Sequence, residues 1–429
     1  MRNELREIHS YPESLKYLSS FSKQGASVTD LTRFSALAEK LGSPEKGLRC
    51  IHVAGTNGKG SVTEYIAAVL TECGYKTGRF SSPYIVDIRE RIEIDGEFIG
   101  EEDFTRLAER VRQAEECCEN RAFSQFEILT AICFLYFKER GTDYAVIETG
   151  IGGTLDCTNI IPCPEVAVIT SIGLDHTAIL GDTEEKIAHS KSGIIKGGVC
   201  IAAAGISEAA LEVIEHRCAK MGARLVIPDT RKLSVRGSGL NGSSFCYKNR
   251  EYRLKMCGSH QTLNALTAIE ALNALNVGLP DERIAAGLYK AALPARLEYF
   301  PKHTPEVILD GGHNPQAMLA AKEMLTADPR EKTAIIGMIC TKDYKTALEI
   351  ILPCFKAAVF YDGFADNAVN AEVLAGVGER AGINSYFAHD IRTALTIGSE
   401  DSEMLFIGGS LYMAAEFRKF LLGERNEGA

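Results

Sequence analysis

Short apolar runs of four to six residues recur along this chain, each followed by a glycine turn and then a helical pattern. Strands separated by helices build parallel sheets through crossover connections, so this alternation points to an α/β fold. The first clear unit is CIHVAG at residues 50–55, a buried strand that runs into the glycine loop GTNGKGS at 55–61. A helix is expected next, with Val62, Ile66, Val69, Leu70 and Cys73 on one face and Gly74 at its end. Further buried strands read as YAVIET at 144–149, VAVITS at 166–171 and GVCIAA at 198–203. At 245–256, FCYKNREYRLKM alternates around a polar turn and predicts a β-hairpin decorating the sheet.

A second series of the same kind follows: VILDGG at 307–312, AIIGMI at 334–339, AAVFYD at 357–362 and MLFIGG at 404–409. The join falls around 291–294, after a helical stretch at 281–292, where Pro294 and Arg296 interrupt the pattern. The expected division is a P-loop-type parallel-sheet domain over 1–293 and a smaller Rossmann-like α/β domain over 294–429. At 429 residues the chain has the length for two such cores.

Composition narrows the partners. A net charge of -10 argues against a protein that coats nucleic acid, which needs a basic excess, but leaves room for a local basic pocket that takes anionic small molecules. The thirteen cysteines sit mostly in apolar runs, as at Cys50, Cys133 and Cys200, and read as buried thiols of a reducing compartment. Cys117 and Cys118 are adjacent, which suits neither a redox CxxC pair nor a zinc knuckle. MRNELREIHS lacks the apolar centre of a signal peptide, and the most apolar stretch, 129–137, is far shorter than the roughly 20 residues that span a bilayer. A soluble, cytoplasmic protein with no nucleic-acid or membrane partner is expected.

Several strand ends carry chemistry. In GTNGKGS the glycines let backbone N–H groups turn toward a phosphate, Lys59 adds a positive charge, and the following helix contributes its N-terminal dipole. The segment departs from GxxxxGK[ST]: Val53 holds the first glycine position and Gly60 separates Lys59 from Ser61. A glycine turn without phosphate chemistry is the plain alternative. Glu148, leaving a central strand, is placed to hold Mg²⁺ or simply to satisfy a local N–H. SIGLDHT at 171–177 offers Asp175 and His176, and such a histidine alone is more often a structural hydrogen-bonder than a ligand. Lys191, in HSKSGIIK at 189–196, could neutralise phosphate or, if neutral, add CO₂ and become an anion. In the second series LDGGHNP offers Asp310 and His313, and FIGGSLY offers Ser410. Two such turns on one sheet make a crevice, the usual ligand site of this architecture.

In order, HVAGTNGKGS, SSPY with RERI, FEILTAICF, ETGIGGTLDCTN, TSIGLDHTAILGDTEEKIAHSKSGIIK, GSHQTLNALTA, LPARLE, DGGHNP and GGSLY resemble the folylpolyglutamate synthase and dihydrofolate synthase family, relatives of the Mur ligases. The likeness runs from about Tyr11 to Tyr412. It implies an ATP-driven ligase: a folate carboxylate attacks the γ-phosphate, and the amine of L-glutamate displaces phosphate from the acyl phosphate, leaving ADP and phosphate. The product is a tetrahydrofolyl-poly-γ-glutamate, with dihydropteroate as a second acceptor yielding dihydrofolate. The resemblance assigns Thr56, Asn57, Gly58, Lys59, Gly60, Ser61, Asn264, Arg296 and Asp310 to ATP, and Ser82, Glu148 and His176 to Mg²⁺. Lys191 matches a carbamylated lysine that supports a second metal. Phe126, Arg91, Asp156, His313 and Ser410 fall to the acceptor and the incoming glutamate, and Lys59, Lys191, His176 and His313 to catalysis. A monovalent cation such as K⁺ and a monomeric state complete what it implies.

Tyr84 stands where the family has histidine after SerPro, Thr154 where an arginine is common, Ala295 where the ProGlyArg glycine is expected, and Gly312 where DGAHNP has alanine. Tyr84 and Thr154 fall on the pterin side, so they bear on substrate preference. Alternatives are a dihydrofolate synthase alone, another Mur-type amino-acid ligase, a phosphotransferase or nucleotide switch, and a non-catalytic descendant. A peptidoglycan Mur enzyme usually carries an extra N-terminal domain, for which a loop starting at Gly55 leaves no room. A phosphotransferase leaves DGGHNP and GGSLY unexplained, and a non-catalytic descendant does not require the intact ligand set.

Overall fold

The computed structural model describes residues 7–22 and 30–423; the first six residues of the stretch read for a signal peptide, and both outer ends of the expected domains, lie outside it. Packing divides the chain into two units, one of residues 1–84, 88–231 and 263–288, the other of 85–87, 232–262 and 289–429. Two segments, 85–87 and 232–262, pack with the second unit although they precede the expected join at 293, so the units do not follow a single cut.

The first unit is built on an eight-stranded sheet. Its strands are β1 (Cys50–Ala54), β2 (Thr77–Phe80), β3 (Ile92–Ile94), β4 (Glu97–Phe98), β5 (Tyr144–Glu148), β6 (Val166–Ile169), β7 (Val199–Ala202) and β8 (Arg224–Val226), in the order β4-β3-β2-β5-β1-β6-β7-β8. From β2 to β8 the neighbours are parallel, and β3 and β4 close one edge antiparallel. Strand β1 lies between β5 and β6 with Val53 opposite both Glu148 and Val168, and β1, β5 and β6 are buried at every position. Continuous burial explains why these strands read as unbroken apolar runs. The same unit shows why β2 was not legible: Arg79 interrupts its apolar character, yet is buried because Glu93 on β3 and Glu64 pair with it.

The helix after the glycine loop is Lys59–Glu72, started by Gly58 in the left-handed region (φ 83°) and stopped where Gly74 turns left-handed (φ 89°). Val62, Ile66, Val69 and Leu70 are fully buried, as their spacing required, and each such side chain contributes roughly 1.5–3 kcal/mol. The apolar run at 129–137 lies inside the helix Gln125–Arg140, which opens on a capping box between Ser124 and Glu127 and ends on Gly141 (φ 62°). It is a core helix: Ile128 to Phe137 are all buried. Among the described residues no helix is long and apolar enough to cross a membrane.

The second unit contains a three-stranded antiparallel sheet, β9 (Leu233–Gly239), β10 (Gly242–Tyr247) and β11 (Arg250–Leu254), in the order β11-β10-β9. The expected hairpin is therefore β10–β11, but it is not a decoration of the large sheet; with β9 it forms a sheet of its own. LSVRGSG carries little apolar alternation, so β9 is held by its ladder to β10 rather than by a burial pattern. A six-stranded sheet completes the unit: β12 (Glu298–Phe300), β13 (Glu306–Asp310), β14 (Lys332–Ile336), β15 (Ala357–Tyr361), β16 (Asn384–Ala388) and β17 (Met404–Gly408), ordered β12-β13-β17-β14-β15-β16 and parallel except for β12. Apolar clusters cover both its faces, one around Ile308, Ile336 and Phe360, the other around Leu309, Ile335 and Tyr361. The residues alternate between faces along each strand, as a two-sided α/β core requires.

Candidate active site

In the first unit the ends of β1, β2, β5 and β6 meet around the glycine loop. A side chain at Gly55 would lie 1.7 Å from Thr170 Oγ1, and one at Gly58 would lie 2.5 Å from Asn264 Oδ1, so both positions require glycine for close approach. Strand β6 grips the loop from the other side. Thr56 N donates to Ser171 O (2.7 Å), Asn57 N to Ser171 Oγ (3.1 Å), and Thr170 Oγ1 to Asn57 O (2.7 Å). Thr56 Oγ1 donates to Gly173 O at 3.0 Å. The loop is thus fixed in shape by hydroxyls that no local sequence signal singled out.

Two lysines lie close to this loop. Lys59 Nζ donates to Thr56 O at 3.3 Å, and Lys191, the last residue of the helix Glu184–Lys191, donates to Gly55 O at 2.6 Å. Lys191 is only 4% exposed; burial, and then the charge of Lys59, lowers its pKa from 10.5 to about 7, with Asp175 and Asp156 acting in the opposite sense. Two amines and a helix N-terminus converging on one glycine loop make a site for a polyanion. Gly60 and Ser61 open that helix, with Ser61 buried.

Glu148 ends β5, is 3% exposed, and accepts the backbone N–H of Ser82 at 3.2 Å. The structure therefore brings two of the expected metal ligands together at neighbouring strand ends, and their oxygens suit a hard cation. His176 precedes the four-residue helix Thr177–Leu180 with φ 50°, its backbone N–H bonded to Asp175 Oδ1 (2.8 Å) and its side chain 39% exposed. Among the described residues no group of three or more His, Cys, Asp or Glu side chains is close enough to hold a metal ion.

Arg91 and Phe126, expected on the acceptor, lie close together: the Arg91 guanidinium is 5.4 Å from the ring centre of Tyr84 and 6.0 Å from that of Phe126. Phe126 packs so tightly on the Gly150 backbone that a Cβ there would lie 2.8 Å from its ring. Asp156, expected on the substrate, is fully buried and spends both oxygens internally: Oδ2 accepts Gly150 N (2.8 Å) and Ile151 N (3.0 Å), and Oδ1 accepts Thr158 N (3.0 Å) and Thr158 Oγ1 (2.5 Å). Burial raises its pKa while these donors counter the rise. Thr154 donates to Ser190 O at 2.9 Å, which ties the turn to the segment before Lys191.

In the second unit, Asp310 ends β13 and lies opposite Gly408 on β17. It is buried, which raises its pKa, against the charge of Arg296 and the N–H groups of Leu297, Gly312 and Gly311. A Cβ at Gly312 would lie 2.5 Å from Asp310 Oδ2, so the alanine usual in the family would need the Asp310 carboxylate to shift. Ala295 adopts φ 51°, the region where the family's glycine would sit without strain. His313 Nδ1 lies 3.1 Å from Gly311 O, and Asn314 caps the helix Pro315–Ala327. Ser410, 1% exposed, begins the helix Leu411–Leu421, and its hydroxyl has no hydrogen-bond partner among the described residues. Leu411 touches the Gly311 turn, so Arg296, Asp310, His313 and Ser410 gather at the ends of two paired strands.

A model of the Mur ligase middle domain matches residues 53–272. The dihydrofolate synthase/folylpolyglutamate synthase of Bacillus subtilis is 35% identical over 91% of this chain and 94% of its own length. Among solved structures, the Mycobacterium tuberculosis folylpolyglutamate synthase complexed with ADP superposes with a TM-score of 0.88 at 28% identity, covering 96% of this chain and 98% of that one. The E. coli FolC structure in complex with DHPP and ADP gives a TM-score of 0.84 at 26% identity, covering 97% and 99%.

Proposed function

Because the chain belongs to the folylpolyglutamate synthase and dihydrofolate synthase family of Mur-type ligases, we propose that it joins L-glutamate to a folate acceptor, using ATP and Mg²⁺. The observation that carries the reading is the convergence of Lys59, Lys191 and the helix N-terminus of Lys59–Glu72 on one glycine loop, the arrangement a triphosphate requires.

Residues 56–61 cradle the ATP phosphates through N–H groups and Lys59, and Asn264, beside Gly58, borders the same loop. Ser82, Glu148 and His176 are the residues that would hold Mg²⁺, which when bound would shield charge on the transferring phosphoryl group. Glu148 and Ser82, held together by their 3.2 Å hydrogen bond, fit that role. With a pKa near 7, Lys191 has an appreciable neutral fraction at physiological pH, which supports its reaction with CO₂ to an anionic carbamate. Arg91, held between Tyr84 and Phe126, faces the acceptor. In the second unit, His313 and Ser410 receive the incoming glutamate.

In the reaction the acceptor carboxylate oxygen bonds to the γ-phosphorus as the bond to ADP breaks. The glutamate amine, having lost a proton, then bonds to the acyl carbon, and phosphate leaves. Lys59 neutralises charge that moves onto the phosphate oxygens during the first step. Dihydropteroate is a second acceptor in this reading, in line with the double name of the B. subtilis relative. The enzyme works as a cytoplasmic monomer on small molecules alone; its thirteen free cysteines and net charge of -10 support that setting.

The test is purified protein with MgATP, labelled glutamate and either a reduced folate or dihydropteroate, following label in the acceptor and ADP release. Incorporation with stoichiometric ADP is expected. Absence of incorporation into both acceptors overturns the reading.

A further inference from the structure

His52 lies in the middle of β1, fully buried, and takes no part in the chemistry described so far. Its Nε2 is 2.9 Å from Thr158 Oγ1. The Thr158 hydroxyl has one proton and directs it to Asp156 Oδ1 at 2.5 Å, so toward His52 it can only accept. His52 is therefore the Nε2–H tautomer, with its bare Nδ1 lacking a hydrogen-bond partner among the described residues. Burial, and then the charge of Lys196, pushes its pKa down to about 3, so the ring stays neutral throughout the working range.

Beyond Asp156 the chain of bonds continues to Gly150 N and Ile151 N, the turn that follows Glu148. Phe126 rests on that turn, and its ring is within 6.0 Å of the Arg91 guanidinium. A buried donor in the strand that leads into the phosphate loop is thus linked, through three hydrogen bonds in series, to the surface that faces the acceptor. Such a chain transmits position well, because each buried member has a bonded partner and leaving one unmade is costly.

We propose that His52 is a positioning residue for acceptor binding, orienting Asp156 through Thr158 so that the Gly150–Ile151 turn and the Phe126 ring on it present a fixed face to the pterin-bearing substrate. The inference rests on the assignment of Phe126 to the acceptor site, and the two can fail separately.

The experiment compares His52→Leu, His52→Gln, Thr158→Val, Thr158→Ser and Phe126→Ala in the full chain, measuring KM for the acceptor, KM for ATP, kcat and thermal stability. Gln keeps a donor at the Nε2 position and Ser keeps the hydroxyl, so both should retain near-normal acceptor KM. His52→Leu and Thr158→Val should each raise acceptor KM by about tenfold with ATP KM unchanged, the loss expected when a buried partner is left unmade. If either change lowers stability and kcat alone, or moves both KM values equally, His52 is merely structural and the proposal falls. If Phe126→Ala leaves acceptor KM unchanged, the acceptor-site reading itself falls. Should His52→Leu fail to fold, the Thr158 pair decides the matter, since valine keeps the shape of threonine without the hydroxyl and serine keeps the hydroxyl without the methyl.

Discussion

The Lys191 ammonium nitrogen lies 2.6 Å from the carbonyl oxygen of Gly55, a contact between residues 136 positions apart. It places a buried, weakly basic amine beneath the glycine loop, and its titration is measurable. The folded-state pKa of about 7 lies below the ordinary 10.5, so between those values the unfolded chain holds a proton that the folded chain lacks. Stability contributed at this site is therefore lowest below pH 7 and rises with pH. Relative to Lys191→Met, the wild type should gain up to about 1.4 kcal/mol per pH unit from pH 7 to 9 in chemical denaturation. A pH-independent difference would show that Lys191 keeps its proton in the folded state.

If Lys191 acts as a carbamate, Lys191→Ala should lose about 10²-fold or more in turnover, and short carboxylates such as formate or acetate should restore part of it. A variant that stays inactive at high carboxylate concentration would remove the carbamate from the reading.

Lys59→Ala and His176→Ala should each lower turnover by at least about 10²-fold while leaving the fold intact by circular dichroism. Near-normal rates in either folded variant would refute that residue's place in the phosphate and metal site.

Arg79 is buried between Glu93 and Glu64 and donates to Ser81 Oγ at 3.2 Å, next to Ser82, which is proposed as a metal ligand. Arg79→Met strands buried carboxylates and should destabilise the protein by about 3–5 kcal/mol in urea. The double change Arg79→Met with Glu93→Leu should recover part of that loss, with Glu64 still lacking its partner. Additive destabilisation in the double variant would mean that the pair is not coupled.

Tyr84→Ala removes one of the two rings beside Arg91. A lost cation–π contact of about 0.5–2 kcal/mol corresponds to a rise of roughly 2–30-fold in acceptor KM, with ATP KM constant. Steady-state kinetics with each substrate varied in turn check this, and Tyr84→His reports whether the family's usual residue changes the preference between a folate and dihydropteroate.

Much of the molecule was legible in the chain. The four buried central strands flanking the loops and the helix from Lys59 follow from residues adjacent to one another, whose apolar runs are local. Other elements were not. Strand β2 hides behind Arg79, which is tolerable only because Glu93 comes from another strand, and β9 carries no burial pattern of its own. Nothing local marked the hydrogen bonds by which Asp156 holds Gly150, Ile151 and Thr158.

The sequence by itself determined the α/β class, the glycine loop and the residue types at the strand ends, because strand burial and helix initiation are set within a few neighbouring residues. Only the tertiary structure decided which groups act on one another: Lys191 beneath Gly55, Asn264 against Gly58, and His52 linked to Asp156 through Thr158. Desolvation and hydrogen bonding act through space, so a lysine's basicity or a histidine's tautomer depends on partners that folding brings from a hundred or more positions away.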